Sequence, residues 1–352
     1  MPERKNLFGY SLSKLTDELV SLGQSKFRAR QLFAWIYGKG VYDFDAMSDI
    51  AKSFRGTLKS DYCLELPEIH TKQKASDGTV KLLLEMEDGA KVETVLMRYN
   101  YGNVACISSQ VGCAMGCQFC ASGLLKKTRN LEAHEMVGQV LTLNSILKEE
   151  GESISHVVVM GTGEPFDNYE NVLEAVRVFN EQYGLAIGAR HITVSTCGLP
   201  AGIKRYGEEG IQVNLAISLH APNDEIRNQI MPISKAYPMD QLMEAIRQYQ
   251  EKADRRVTFE YILLKGLNDQ PEHAQELADL IYQNHVYAYV NLIPYNEVKE
   301  KPYQRSPNNA IHAFHDILMK RGISTTVRKE FGSDIDAACG QLRAKIQRQG
   351  GS

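Results

Sequence analysis

A chain of 352 residues with 43% hydrophobic and 24% charged residues holds enough apolar material for a large buried core, which excludes disordered and fibrous classes. Its 40 Lys and Arg against 43 Asp and Glu give a net charge of -3, so it is no simple polycation. No run approaches the roughly eighteen apolar residues that a membrane-spanning helix requires.

The opening residues, MPERKNLFGYSLSKL, lack the apolar core and cleavage site of a secretory signal, so a cytoplasmic protein is expected. Residues 1–60 carry ten Lys and Arg against six Asp and Glu, net +4, leaving -7 for the remainder. Leu15, Leu19 and Leu22 are spaced for one helical face, and Phe27, Leu32, Phe33, Trp35 and Ile36 supply a second apolar cluster. A small helical accessory domain is therefore expected over 1–60. Its basic surface suits RNA, although a solvated helical surface would look the same. Residues 61–99 read as a β-rich connector, with apolar runs at 80–84 and 92–97 beside the turn pairs Asp77-Gly78 and Asp88-Gly89.

From 100 to 345 strands alternate with helices. The spacing predicts strands at 104–109, 157–160, 192–195, 213–218, 257–263, 289–293 and 325–328. Helical windows fall near 131–149, 168–182, 200–209, 239–251, 271–284 and 307–320. Such alternation implies an α/β fold of parallel strands, a barrel or a doubly wound sheet, with ligands at the C-terminal strand ends. Residues 346–352 are expected to form a fraying tail.

Seven cysteines, at 63, 106, 113, 117, 120, 197 and 339, are odd in number, which argues against a disulfide framework in a reducing compartment. Cys113, Cys117 and Cys120 form C-x3-C-x2-C on a loop after a predicted strand. Three thiolates so placed suit three irons of a [4Fe–4S] cube, whereas ordinary electron-transfer clusters use four. The fourth iron then stays open to a small molecule. Structural zinc would want a closed set of four, and no nearby histidine completes one.

This motif, with Phe119 before its last cysteine, resembles the radical S-adenosylmethionine (SAM) superfamily. The resemblance implies a partial (β/α)6-type barrel, a three-cysteine [4Fe–4S] cluster whose open iron chelates SAM, and cleavage of SAM to a 5′-deoxyadenosyl radical. Gly161-Thr162-Gly163-Glu164-Pro165, one β/α unit later, would by itself be a glycine-rich turn; in this position it resembles the SAM-amine-binding motif. Gly163 permits close backbone approach there, and Glu164 can accept from an ammonium group. Ser195, Ser218, Leu219, His220 and Asn296 end later strands and are candidates for holding SAM, although each equally suits a local turn.

Further motifs narrow the likeness. They are Val92-Glu93-Thr94-Val95, Cys106 seven residues before the cluster motif, Gly163-Glu164-Pro165, Ser218-Leu219-His220-Ala221, Met231-Pro232-Ile233 and the segment around Cys339. Together they resemble the dual-specificity RNA adenine-C2 methyltransferase family, RlmN. Membership would imply methylation of an adenosine in the peptidyl-transferase centre of 23S rRNA and of one beside the tRNA anticodon, with two SAM molecules consumed per turnover.

In that family pattern Cys339 is methylated and its methyl group becomes a radical that adds to adenine C2. Cys106 resolves the adduct through a Cys106–Cys339 disulfide, and Glu93 is a proton acceptor. An electron donor such as flavodoxin or ferredoxin and a monomeric enzyme are expected. Lys26, Arg28, Arg30 and the 126–129 run are candidate RNA backbone contacts. Taken without the resemblance, Glu93 reads as a strand residue and the two cysteines as buried apolar thiols. Two alternatives remain: a Cfr-type adenine-C8 methyltransferase that confers antibiotic resistance, and a non-catalytic iron–sulfur redox sensor or RNA-binding module. Pro165 in the Gly-Glu-Pro segment favours C2 over C8.

Overall fold

The computed structural model describes residues 4–335 and 341–342. Cys339 and the expected tail lie outside the described residues.

The front of the chain forms α1 (Leu12–Ser21), α2 (Lys26–Phe33) and α3 (Lys52–Asp61). Ser11 caps α1 by accepting from the Lys14 N–H at 3.3 Å. Leu15 and Leu19 are buried as their spacing predicts, but α1 ends at Ser21, so Leu22 is left exposed. Phe27 is 63% exposed, against expectation. It stands two residues before Ala29, and at about 100° per residue that turns it away from the face of Ala29, Leu32, Phe33 and Ile36, which are buried. These helices share one continuous core with the rest of the protein, running from Leu7 to Ile323.

Three antiparallel strands follow, β1 (Glu68–Lys74), β2 (Val80–Glu85) and β3 (Lys91–Tyr99), and β3 pairs antiparallel with β4 (Gly102–Cys106). The predicted connector is thus continuous with the main sheet. Next come β5 (Ile154–Val159), β6 (Ile192–Thr196), β7 (Asn214–Ser218), β8 (Val257–Leu263), β9 (Ala288–Pro294) and β10 (Thr325–Val327). From β4 to β10 every neighbouring pair is parallel. The ten strands lie side by side in chain order, with β1 and β10 as the two edges.

The parallel strands are linked through α4 (Ala133–Lys148), α5 (Tyr169–Asn180), α6 (Pro200–Glu208), α7 (Asp224–Ile230), α8 (Met239–Ala253), α9 (Pro271–Gln283) and α10 (Asn308–Lys320). That makes six β/α units and a seventh parallel strand, the partial (β/α)6 barrel expected, without closure between β1 and β10 among the described residues. Burial follows the two-residue period of a strand. In β5, Val157 and Val159 are buried under the helices, while His156 and Val158 are half-buried on the opposite face. Among the described residues no helix is long and apolar enough to cross a membrane.

Candidate active site

The cysteine loop is stapled at its stem. Gln110–Val111 pairs antiparallel with Arg129–Asn130, and the Cys113 N–H donates to the Leu125 carbonyl at 3.3 Å. Gly112 sits at the neck with φ +76°, and a Cβ there would lie 2.3 Å from the Lys126 carbonyl oxygen. Only glycine fits that crossing. Farther out, the Gln118 N–H donates to the Ile230 carbonyl at 2.8 Å, seating the loop on the end of α7.

Cys113, Cys117 and Cys120 all line one cavity of about 880 Å³ at the C-terminal ends of the parallel strands. Among the described residues no three His, Cys, Asp or Glu side chains converge as ligands of a single metal ion. A cube asks for something else, since each thiolate would hold a different iron and the sulfurs need not meet at a point. Burial pushes the Cys113 thiol up to about 11 and raises that of Cys117 further. Thiols so desolvated become thiolates at neutral pH when cations such as iron bind them. The donor set on the loop therefore suits three irons; the one further thiol lining this cavity among the described residues, Cys197, lies off the loop at the end of β6 and is bonded to Glu164.

The same cavity is lined by Gly163, Glu164, Ser195, Ser218 and His220, so the topology brings these five predicted residues together with the cysteines. Leu219 does not line it: its side chain is fully buried and its N–H donates to the Glu260 carbonyl at 3.1 Å. Gly163, at φ +118°, lies so close to the stem that a Cβ would be 2.7 Å from Gln110 and Ser109. Glu164 is buried, and burial raises its pKa. One carboxylate oxygen accepts from the Phe166 N–H at 3.0 Å and the Thr196 hydroxyl at 2.7 Å; the other accepts from the Cys197 N–H at 2.8 Å. Glu164 thus fastens the end of β6 to its own turn, and the Cys197 thiol bonds to it as well, so four donors, one of them a weak thiol, occupy a carboxylate's four or so acceptor positions.

His220 takes a left-handed backbone, φ +58°. Its Nδ1 accepts from the Ile262 N–H at 3.1 Å, and its ring meets Phe119 edge-on at 4.9 Å. Burial, aided by the Arg227 charge, pushes the ring down to about 3, so it is neutral with its proton on Nε2. An unfolded histidine titrates near 6.5, so between those values the unfolded chain binds more protons. This contribution to stability is complete above the unfolded value and is lost as pH falls toward 3. The cluster-free protein is expected to lose roughly 3 kcal/mol from this group between about pH 7 and pH 4. In His220→Asn, which tolerates the left-handed backbone, urea unfolding at the two pH values should show that part of the difference removed.

A second cavity, of about 650 Å³, adjoins the first and shares Cys120, Ser122, Met160, Gly161, Ile293 and Arg328 with it. Cys106 and Asn296 line this second chamber, together with Val95, Met97, Phe331 and Leu342. The expected resolving cysteine therefore stands one wall from the cysteine loop, whereas Asn296 faces this chamber and not the one lined by Gly163 and Glu164. Glu93 is two and four positions before Val95 and Met97, so it shares their face of β3. It is buried with one carboxylate oxygen 3.3 Å from the Lys81 ammonium, and it lines neither cavity.

Three charged residues of the site escaped the sequence reading. Glu260 lines the first cavity, accepts from Asn291 at 2.8 Å and lies 3.9 Å from Arg328. Arg328 borders both chambers. Arg227 is fully buried beneath the ends of β6 and β7. A lone acid inside the apolar run Val257-Thr258-Phe259-Glu260-Tyr261-Ile262 was a usable signal for the first.

The basic run after the cysteines is mostly engaged within the protein. Lys127 pairs with Asp167 at 2.6 Å. Arg129 forks onto Asp88 at 2.7 and 2.8 Å and onto Glu135 at 2.7 Å twice, while Lys126 is exposed. Arg129→Ala is expected to cost about 2 kcal/mol, because Glu135 loses its compensating charge. It should leave the salt dependence of RNA binding unchanged, whereas loss of a phosphate contact would lower that slope by about one. Of the front-end candidates, Lys26 is exposed, Arg28 is tied to Gln31 and the Asp49 carbonyl, and Arg30 lies over the Tyr183 ring at 5.3 Å.

Family comparisons agree with this geometry. Residues 5–64 match the family model for the ribosomal RNA large subunit methyltransferase N-terminal domain, and residues 107–281 match that of the radical SAM superfamily. The "Probable dual-specificity RNA methyltransferase RlmN" of Spiroplasma citri is 54% identical over 340 residues, covering 97% of each chain. The chain belongs to the RlmN family. The Enterococcus faecalis RlmN is 52% identical over 99% of this chain and 98% of its own. A crystal structure of a radical SAM methyltransferase from Sphaerobacter thermophilus superposes with a TM-score of 0.90 at 44% identity, over 97% of this chain and all of that one. The RlmN N-terminal match spans α1 to α3, and the radical SAM match runs from the end of β4 into α9, enclosing the cysteine loop and the Gly163–Glu164 turn.

Proposed function

We propose that this RlmN protein methylates C2 of adenosine in 23S rRNA and in tRNA, using a [4Fe–4S] cluster held by Cys113, Cys117 and Cys120 and two molecules of SAM per turnover. The observation that carries the reading is the pair of adjoining chambers, one with the three cysteines and the Gly163–Glu164 turn, the other with Cys106, sharing Cys120 and Gly161 in their common wall. Dual-specificity RNA methyltransferase is also the name borne by relatives that match nearly the whole chain.

When bound, the cluster and SAM supply the one-electron chemistry that makes a 5′-deoxyadenosyl radical, and the protein positions and shields it. Glu164 accepts from the SAM ammonium in place of the weakly donating Cys197 thiol, Ser195 and Ser218 face the nucleoside, and the neutral His220 presents an Nε2 donor. Cys339 carries the methyl group that is joined to adenine C2. The adduct radical returns one electron to the electron donor, and Cys106 as thiolate takes the C2 proton and passes it to Glu93 or water. The restored thiolate attacks the Cys339 sulfur; the carbon–sulfur electron pair leaves on carbon, which takes a proton to become the methyl group. Glu93 is the family's proton acceptor; paired with Lys81, it acts from beside the Cys106 chamber. An external low-potential donor of the flavodoxin or ferredoxin class supplies electrons, and reductant restores the two thiols. The helices before residue 61 serve as the RNA-binding accessory domain of a monomeric, cytoplasmic enzyme.

The test is anaerobic reconstitution with SAM bearing a trideuterated methyl group, reductant, and unmodified 23S rRNA or tRNA. After digestion, 2-methyladenosine carrying two deuterons is the expected product. Methyl at C8 would move the chain to the resistance type, and SAM cleavage without methyladenosine would overturn the substrate. Absence of SAM cleavage by a protein with a full cluster would favour the redox-sensor reading.

A further inference from the structure

Arg227 has no place in the chemistry described so far, and its setting is unusual. The side chain is fully buried. Its three hydrogen bonds all go to backbone carbonyls: Nη2 donates to Cys197 at 2.7 Å and to Ser218 at 3.4 Å, and Nε donates to Leu219 at 3.2 Å. Nη1 has no hydrogen-bond partner among the described residues. Carbonyl dipoles alone compensate a buried guanidinium poorly, and an uncompensated buried charge is expensive. The Asp224 carboxylate also attracts Arg227, but less than the sulfurs of Cys197 and Cys117 do, so the retained charge still calls for an anionic neighbour on the side of the cysteines.

The surroundings identify that neighbour. The carbonyls that Arg227 holds belong to the ends of β6 and β7, next to the cavity-lining Ser195, Cys197, Ser218 and His220. Its helix, α7, ends at Ile230, whose carbonyl accepts from Gln118 of the cysteine loop. Ile230 and Met231 form one apolar cluster with Phe119 and Cys197, against which Cys117 and Cys120 pack. The Arg227 charge is felt at the Cys117 thiol. Space is built for it: Gly198 has φ +105°, and a Cβ there would stand 3.2 Å from Nη2.

We propose that Arg227 is a positioning residue that ties the ends of β6 and β7 together around the SAM cavity, and that it supplies a permanent buried positive charge easing reduction of the cluster held by Cys113, Cys117 and Cys120. The inference rests on the cofactor reading above. A three-thiolate cluster is anionic and becomes more so on reduction, so a fixed cation in a medium of low dielectric favours the reduced form. The guanidinium, whose charge is felt at Cys117, then has a counter-charge when the cluster is in place.

Three proteins test this: wild type, Arg227→Lys and Arg227→Gln, each reconstituted without oxygen. Iron and sulfide content is measured first, then the midpoint potential by EPR-monitored titration, then KM for SAM. Arg227→Gln should shift the midpoint to more negative potential, cutting the reduced-to-oxidised ratio at a fixed donor potential about tenfold, which corresponds to about 59 mV for one electron. Its KM for SAM should rise about tenfold or more. Arg227→Lys keeps the charge and loses the three-carbonyl fork, so its potential should match wild type while KM rises.

A fully loaded Arg227→Gln with wild-type potential would overturn the charge role. An unchanged KM in Arg227→Lys would overturn the positioning role. Should Arg227→Gln fail to hold iron, Arg227→Lys decides alone: wild-type potential with raised KM supports the proposal, and a shifted potential with the charge retained overturns it. A wild-type protein that takes up no cluster would instead defeat the cofactor reading itself.

Discussion

Cys106→Ala is expected to stop turnover with the RNA still attached to the protein. If the methyl carbon on Cys339 joins adenine C2, release needs a second sulfur to accept the Cys339 sulfur. Cys106, buried at the end of β4 in the chamber next to the cluster loop, is the thiol placed for that step. Removing it leaves cluster binding and SAM cleavage intact, so the first half of the reaction proceeds. Multiple turnover should fall about 1,000-fold or more, as for residues that act as one catalytic unit. The direct reading is a protein band carrying RNA that survives denaturant and collapses to protein plus nucleotides under nuclease. The fold should tolerate the change, because one sulfur lost from a cavity wall costs only about 1 kcal/mol. Released methylated RNA at wild-type rate would show that another group resolves the adduct.

The second large effect is expected at Glu164. Alanine there strands the Phe166 and Cys197 N–H groups and the Thr196 hydroxyl, all buried. Each unmet buried donor costs about 1–3 kcal/mol, so Glu164→Ala should lose about 3 kcal/mol or more even before any cofactor is added. Glutamine keeps one oxygen and turns an amide donor toward whichever partner remains, so Glu164→Gln should lose less. If Glu164 holds the SAM ammonium as proposed, both variants should raise KM for SAM by about 100-fold. Thermal unfolding of the cluster-free protein separates the two contributions. A variant stable as wild type would mean that Thr196 and Cys197 had found other acceptors.

Much of the architecture was legible because its central strands are buried on the helix-covered face and at least half-buried on the other. Runs such as Val157-Val158-Val159 and Val257 to Leu264 stand out between polar helices, and each of the seven predicted parallel strands is present. By contrast, β1 was not separately visible: six of its seven residues are exposed, so no apolar alternation marks it. The helix α7 is only seven residues long, too short for a helical period to declare itself.

The site divides along the same line. Cys113, Cys117 and Cys120 announce themselves by spacing, since local chain geometry brings their thiols onto one loop. Arg227 and Arg328 resemble surface residues in the sequence, because their surroundings are created only when distant strand ends meet. The run at 126–129 misled in the opposite sense: charges that look ready for phosphate are largely spent on Asp88, Glu135 and Asp167. Which charges are free is a property of the folded surface.

Among the described residues the open sheet of ten strands has two unpaired rims, and bare rims invite strands from other molecules to add on and polymerise. Here both are blunted. Along β1 the exposed row includes Glu68, Lys72 and Lys74, and its pairing with β2 slips between Ile69 and Thr71, so an incoming strand meets charge and a broken register. The opposite rim, β10, is three residues long, too little to template a stable ladder. The seam that the incomplete barrel leaves is thus shielded from being zipped shut by a stray polypeptide, and the chain keeps an open mouth without becoming a seed for fibres.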